Sequence, residues 1–147
     1  MSERFDLVIV GGGIIGLATA YRLLRRHPDL RLAVLEKERE LATHQSGHNS
    51  GVLHAGLYYA PGSLKARLCR EGKAALEAFA TARGIPFERC GKIVVATHAE
   101  ELPRLAALEE RARANGVEGL EAIVPERIRE LEPFATGLRG LHSPGTG

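Results

Sequence analysis

The sequence predicts an α/β fold, with a parallel strand–helix–strand crossover at the amino end and a shorter α+β region behind it. Three observations carry that expectation. Leu7-Val8-Ile9-Val10 and the run from Leu30 to Leu35 are short, apolar and β-branched, as suits strands buried on both faces of a parallel sheet. Between them Ile14, Leu17, Tyr21 and Leu24 recur at the helical period, and His27-Pro28-Asp29 stops the helix. Finally, Gly11-Gly12-Gly13-Ile14-Ile15-Gly16 joins the first strand to that helix.

The glycines have separate jobs. Gly11 lets the chain turn sharply out of the strand, Gly13 leaves room for a pyrophosphate to approach the backbone, and Gly16 lets the helix lie close to the sheet. The free N–H groups of the helix start, at Ile14 and Ile15, together with the helix dipole, attract anions. Glu36 ends the second strand at the spacing of roughly 20 residues past the last glycine where a carboxylate accepts hydrogen bonds from a ribose diol, with Lys37 beside it. An acid there repels a ribose 2′-phosphate. The stretch therefore reads as a Rossmann-like site for FAD or NAD rather than NADP.

A chain of 147 residues normally makes one domain. The formal charge of +2 is spread among alternating acids and bases, which gives no electrostatic case for nucleic acid. Cys69 and Cys90 form no metal spacing, and two lone thiols suit a reducing compartment. The first strand follows Met1 too closely for a signal peptide, and no apolar run reaches the length of a transmembrane helix. A cytoplasmic location is expected, with peripheral membrane contact left open.

The segment from Ala42 to Tyr59 is rich in Gly, Ser, Asn and His and has no large apolar face. Its histidines at 44, 48 and 54 fit no zinc spacing, so no metal is assigned. A solvated loop is one reading. In the other, favoured by the neighbouring glycine motif, Ser46, Asn49, Ser50 and backbone N–H groups bond to a cofactor while a histidine faces the reacting centre.

Pro61-Gly62 ends the loop, and Ser63 caps a helix to about Ala82 whose stripe is Leu64, Leu68, Ala75, Leu76 and Phe79, stopped by Gly84. Ile85 to Arg89 and Lys92 to Thr97 read as strands. Thr97 and Glu100 have capping-box spacing before a helix to about Ala114, although Pro103 argues for a later start, nearer Glu100. Asn115-Gly116 closes it. Leu120 to Val124 is a further strand, Pro125 opens a short helix, and Leu138 to His142 is a last strand.

The segment His44-Gln45-Ser46-Gly47-His48-Asn49-Ser50-Gly51-Val52-Leu53-His54-Ala55-Gly56-Leu57-Tyr58-Tyr59, continued through Cys69 and again at Cys90 to Thr97 and Glu132-Pro133, resembles the amino-terminal signature of the L-2-hydroxyglutarate oxidase and dehydrogenase family. That family lies within the FAD-dependent D-amino-acid oxidase superfamily. The resemblance implies FAD, with its ribose on Glu36, its pyrophosphate at Gly11, Gly13 and Gly16, and its flavin end near Ser46, His48, Asn49, Ser50 and Gly51. It implies oxidation of a small 2-hydroxy acid by hydride transfer to flavin, with oxygen or a quinone as the undetermined electron acceptor. His54, and then His48, are the candidate bases, since histidine titrates near neutral pH. Tyr58, Tyr59 and Arg67 are the candidates for holding a substrate carboxylate.

Residues 1–82 would then form a cofactor-binding unit with its flavin-side loop and helix, and 83–147 part of a substrate domain. Members of that family are considerably longer, so the resemblance makes this chain an amino-terminal portion. It would leave one edge of Leu7–Val10 unpaired, make the isolated chain poorly soluble and weaken its hold on FAD. Glycerol-3-phosphate or amino-acid oxidising relatives, an NAD-dependent dehydrogenase and a non-catalytic nucleotide-binding fragment are the alternatives.

Overall fold

The computed structural model describes residues 4–147. The chain divides into two compact units, Met1–Gly51 and Val52–Gly147.

In the first unit β1 (Leu7–Val10), α1 (Ile14–Arg26) and β2 (Leu32–Leu35) form the expected crossover, and the strands pair in parallel from Leu7 with Leu32 to Val10 with Leu35. The helix is needed because parallel neighbours cannot be joined by a tight turn. α1 packs on both strands. Two expectations are corrected. β2 starts at Leu32 because Arg31 is bound to Asp6, its N–H donating to Asp6 Oδ2 at 2.8 Å while its carbonyl accepts from Asp6 N. β1 is not buried on both faces: Leu7, Val8 and Val10 are exposed, Val10 to 85%. A two-stranded ribbon with one helix has only one covered face. For the same reason Ile14 and Leu24, at the ends of the α1 stripe, stay exposed, while Leu17 and Tyr21 are half-covered.

The second unit opens with α2 (Leu64–Arg83). Its Ser63 cap accepts from Ala66 N at 3.2 Å, and Gly84, at φ 64°, lets its own N–H and that of Ile85 reach back to the last turn. β3 (Lys92–Ala96), α3 (Leu102–Ala114), β4 (Glu121–Ile123), α4 (Pro125–Leu131) and β5 (Arg139–Ser143) follow. The strands form an antiparallel sheet in the order β3-β5-β4, with α3 on β3 and β5 and α4 on β5. The core sits here: Leu57, Ala96, Leu105, Ala112, Leu120 and Leu141 pack together, and Ile128 is fully buried.

Three sequence expectations change in this unit. Ile85 to Arg89 is no strand, and Arg89 turns its side chain back onto Glu77 of α2, with Nη2 to Oε2 at 2.8 Å. The expected α2 stripe is not core, for Leu64, Leu68 and Leu76 are 61%, 52% and 44% exposed, while Ala66 and Ala80 make the buried contacts. The capping box moves by one residue: Glu101 accepts from Thr97 N at 2.7 Å and His98 N at 3.1 Å, a 3₁₀ turn (Ala99–Glu101) intervenes, and Pro103 falls in the first turn of α3, where its missing N–H costs no helical bond.

Candidate functional site

Within the first unit the glycine turn is built as its residues require. Gly11 has φ 106°, a conformation that favours glycine, and its N–H continues the ladder to Leu35 O at 2.7 Å. A Cβ at Gly16 would collide with the Gly11 carbonyl oxygen, so only glycine lets α1 start against the strand end. No acidic side chain lies in the first turn of α1, and Gly13, its N-cap, supplies no side chain. No carboxylate of the first turn thus competes with an anion for the positive helix end.

Two hollows flank the turn. One, of about 330 Å³, is lined by Gly11, Gly13, Glu36, Lys37, His44 and Ser46 among others. The second, of about 470 Å³, lies along Ile14, Ile15, Gly16, Ser46 and Asn49. The structure thus brings Gly11, Gly13, Ile14, Ile15, Gly16, Glu36, Lys37, Ser46 and Asn49 around one glycine turn.

The side chains there already hold one another. Glu36 Oε2 accepts from Gly12 N at 2.7 Å and Oε1 from Glu38 N at 3.0 Å; these N–H donors, Glu38 first, hold its carboxyl below the usual 4.5. A carboxylate with its remaining lone pairs facing a hollow suits a diol. Ser46 Oγ accepts from Ile14 N at 2.9 Å, which pins the following loop to the helix start. Asn49 is spent on the loop itself, its Nδ2 donating to Gln45 O and Ser46 O and its Oδ1 accepting from Gly51 N at 2.7 Å. His44 pairs with Glu38 at 3.0 Å. His48 is exposed, with Nδ1 3.0 Å from the His44 carbonyl, and like Ser50 it lines neither hollow.

The second unit carries the other candidates. His54 lines a groove of about 560 Å³ with Val52, Tyr59, Leu64, Leu68 and Leu76, so the exposed face of α2 is one wall of it. Lys65 and Lys73 are its cations. Lys65 Nζ stands 5.8 Å from the centre of the Tyr59 ring, and Lys92 Nζ 4.6 Å from that of Tyr58. Arg67 does not line the groove; it faces Glu71 at 4.0 Å on the exposed side of α2. The Cys69 thiol donates to the His54 carbonyl at 3.2 Å, and burial pushes its pKa up against the opposing pull of Lys73. Among the described residues no three His, Cys, Asp or Glu side chains converge to hold a metal ion.

Sequence reasoning missed Lys92, Lys73 and Asn115. The first two sit among ordinary surface charges in the sequence, and Asn115 was visible only as a helix stop.

These features define a class. The family of FAD dependent oxidoreductases matches residues 6–147, and the chain belongs to it. FAD, rather than the nicotinamide dinucleotide that the glycine spacing left open, is the cofactor of that class. More particularly, the chain is 54% identical over 146 residues to the mitochondrial L-2-hydroxyglutarate dehydrogenase of Homo sapiens, covering 99% of this chain and 32% of that one. The Caenorhabditis elegans protein of the same name is 55% identical over 144 residues, 98% of this chain and 33% of that one. Among solved structures, the FAD-bound L-alpha-glycerophosphate oxidase of Mycoplasma pneumoniae superposes with a TM-score of 0.84 at 31% identity, over 99% of this chain and 38% of that chain. The chain spans about a third of the length of the curated relatives it matches.

The cytoplasmic location expected from the sequence does not stand, because these relatives are mitochondrial proteins by name. Two lone thiols, the observation behind that expectation, do not single out one compartment. No helix among the described residues is long and apolar enough to cross a membrane.

Proposed function

We propose that this chain serves the FAD-dependent oxidation of a small 2-hydroxy acid, L-2-hydroxyglutarate first, to the 2-oxo acid. The observation that carries it is the glycine cradle closed by Glu36 in a chain 54% identical over nearly its whole length to an L-2-hydroxyglutarate dehydrogenase.

The residues present fit the cofactor, since Gly11 has open space where a Cβ would stand, Gly16 lets α1 start against the strand end, and the first turn of α1 carries no acidic side chain. Gly11, Gly13, Ile14, Ile15 and Gly16 would take the diphosphate, and Glu36 the ribose, with Lys37 beside it. Ser46, His48, Asn49, Ser50 and Gly51 are proposed for the flavin end. When bound, FAD supplies the acceptor for the hydride leaving substrate C2.

The chain's own part is to hold the substrate and take its proton. A ring nitrogen of His54, at the mouth of a largely apolar groove, accepts the hydroxyl proton as the C2 hydride departs, with His48 the second candidate. Tyr58 and Tyr59, each beside a lysine, hold the substrate's carboxylates, and Arg67 is the more distant candidate. On this reading residues 1–82 form the cofactor unit with the flavin-side loop and helix that carry these side chains, and 83–147 form part of the substrate domain. Oxygen or a quinone, in either case a carrier outside this chain, takes the electrons onward.

The test is turnover of L-2-hydroxyglutarate by the FAD-loaded protein with an artificial dye acceptor. Dye bleaching that a His54→Gln substitution lowers by roughly 10²-fold or more is expected for the loss of a general base. A flavinated protein that bleaches no dye with this substrate would refute the reading. Bleaching only with L-glycerol 3-phosphate would move the assignment to the class of the Mycoplasma neighbour.

A further inference from the structure

Gly56 and Leu57 are buried, yet the segment between Val52 and Pro61 belongs to no helix or strand. Its carbonyl groups must therefore find partners outside any ladder. Side chains of two helices provide them. Cys69 Sγ of α2 donates to the His54 carbonyl, and Arg111 Nη1 of α3 reaches the Tyr58 carbonyl at 3.4 Å. The tightest tie comes from Asn115 at the end of α3, whose Nδ2 donates to both the Gly56 carbonyl, at 3.0 Å, and the Tyr59 carbonyl, at 2.7 Å.

Asn115 is only 9% exposed, and its Oδ1 is buried without a hydrogen-bond partner. Turning the amide over would set that oxygen against two carbonyl oxygens and strand both N–H groups. The fold instead leaves one acceptor unmatched, which is the smaller loss. An apolar side chain of the same size would carry no unmet acceptor of its own but would take the donor away from the Gly56 and Tyr59 carbonyls, so the amide is kept for what it holds.

We propose that Asn115 is a positioning residue for the reaction: one carboxamide, by gripping two carbonyls three residues apart, fixes the turn that aims His54 and Tyr58. The inference rests on the reading of those two side chains as reaction-side groups. Tyr58 lies between the two gripped carbonyls, with its ring under Lys92, and His54 lies two residues before the first. Gly56 itself has φ 91°, which glycine adopts freely alongside other conformations, so its own backbone does not fix the turn and the outside ties do. Catalysis is sensitive to such placement, a shift of about 1 Å costing up to about 10²-fold.

The experiment compares Asn115→Leu, a side chain of similar size that cannot donate, with the unmodified FAD-loaded protein. Two readouts are taken: hydrogen exchange at amides 54–59, and steady-state oxidation of L-2-hydroxyglutarate normalised to bound flavin. Exchange at 54–59 is expected to rise by about tenfold or more while amides 92–96 stay protected, as local opening predicts. In the same protein kcat is expected to fall by about 10- to 100-fold with little change in KM, the pattern of a misaimed base rather than a lost binding contact. Faster exchange with unchanged kcat per flavin, or unchanged exchange, would overturn the proposal. Should that variant not fold, Arg111→Leu, at an exposed position, releases only the Tyr58 carbonyl. It must then speed exchange at residues 58–60 and lower kcat by a smaller factor, and a protein that does neither counts against the proposal. A His54→Gln protein with undiminished kcat would sink the functional reading instead, while the exchange arm would still judge the grip of Asn115.

Discussion

The two compact units contrast in what holds them. Met1–Gly51 contains the glycine turn and most residues assigned to the cofactor, yet among its described residues Ala20 is the sole buried apolar side chain, while Val10 and Ile15 are 85% and 81% exposed. Val52–Gly147 has no glycine-turn motif and holds the core from Leu57 and Ala96 to Ile128 and Leu141. The difference teaches that a motif records backbone requirements, such as a turn, a close approach or an exposed helix end, whereas stability comes from side chains meeting partners far along the chain. A motif-rich unit with little core of its own gains stability from what it binds.

The largest effect that sharpens this contrast is expected from Ile128→Ala. Its side chain is fully buried, so the change should cost about 2–5 kcal/mol, read as a lower denaturant midpoint for amides of the second unit with the first unaltered. Next comes Gly16→Val. Its Cβ would strike the Gly11 carbonyl, and overpacking of about 1–3 kcal/mol predicts loss of flavin on gel filtration while the second unit melts as before. Equal damage to both units by either substitution would break the comparison.

Acid should separate the units as well. Arg89, and after it Lys73, hold Glu77 down to about 2 from 4.5, a depressed folded value, so its stabilising effect is fully present above pH 4.5 and is lost as pH falls toward 2. Glu77→Gln should lower the melting temperature of the second unit at pH 7 by a few degrees, a gap that closes near pH 2. The smallest expected effect is that of Glu36→Gln. Glu36 is also held below 4.5, so it is charged at neutral pH and loses that charge only below 4.5. The substitution should weaken FAD binding at pH 7, as followed by flavin fluorescence, and remove the acid-side loss expected of the unmodified protein.

Much of the first unit was legible because glycine and proline punctuate it. β1 and α1 have the bounds that Gly11, Gly13 and His27-Pro28 set, and α2 runs between its Ser63 and Gly84 caps. Burial was not legible. The apolar runs at Leu7–Val10 and along α2 announce surfaces that want cover, but nothing local says whether cover is present, and here Leu64 and Leu68 stay exposed. Ile85–Arg89 had the composition of a strand and no ladder to join. Asn115 looked like a helix terminator, for the two carbonyls it holds lie 59 and 56 residues earlier in the chain. Local spacing thus found the glycine turn, and only the tertiary fold revealed what steadies the histidine-bearing one.

Hydrogen exchange of the whole chain, with and without excess FAD, tests the central claim most directly. The account predicts added protection at residues 7–17 and 36–51, with amides 92–96 and 139–143 unchanged. Protection confined to the second unit, or none in the glycine turn at saturating FAD, would contradict it.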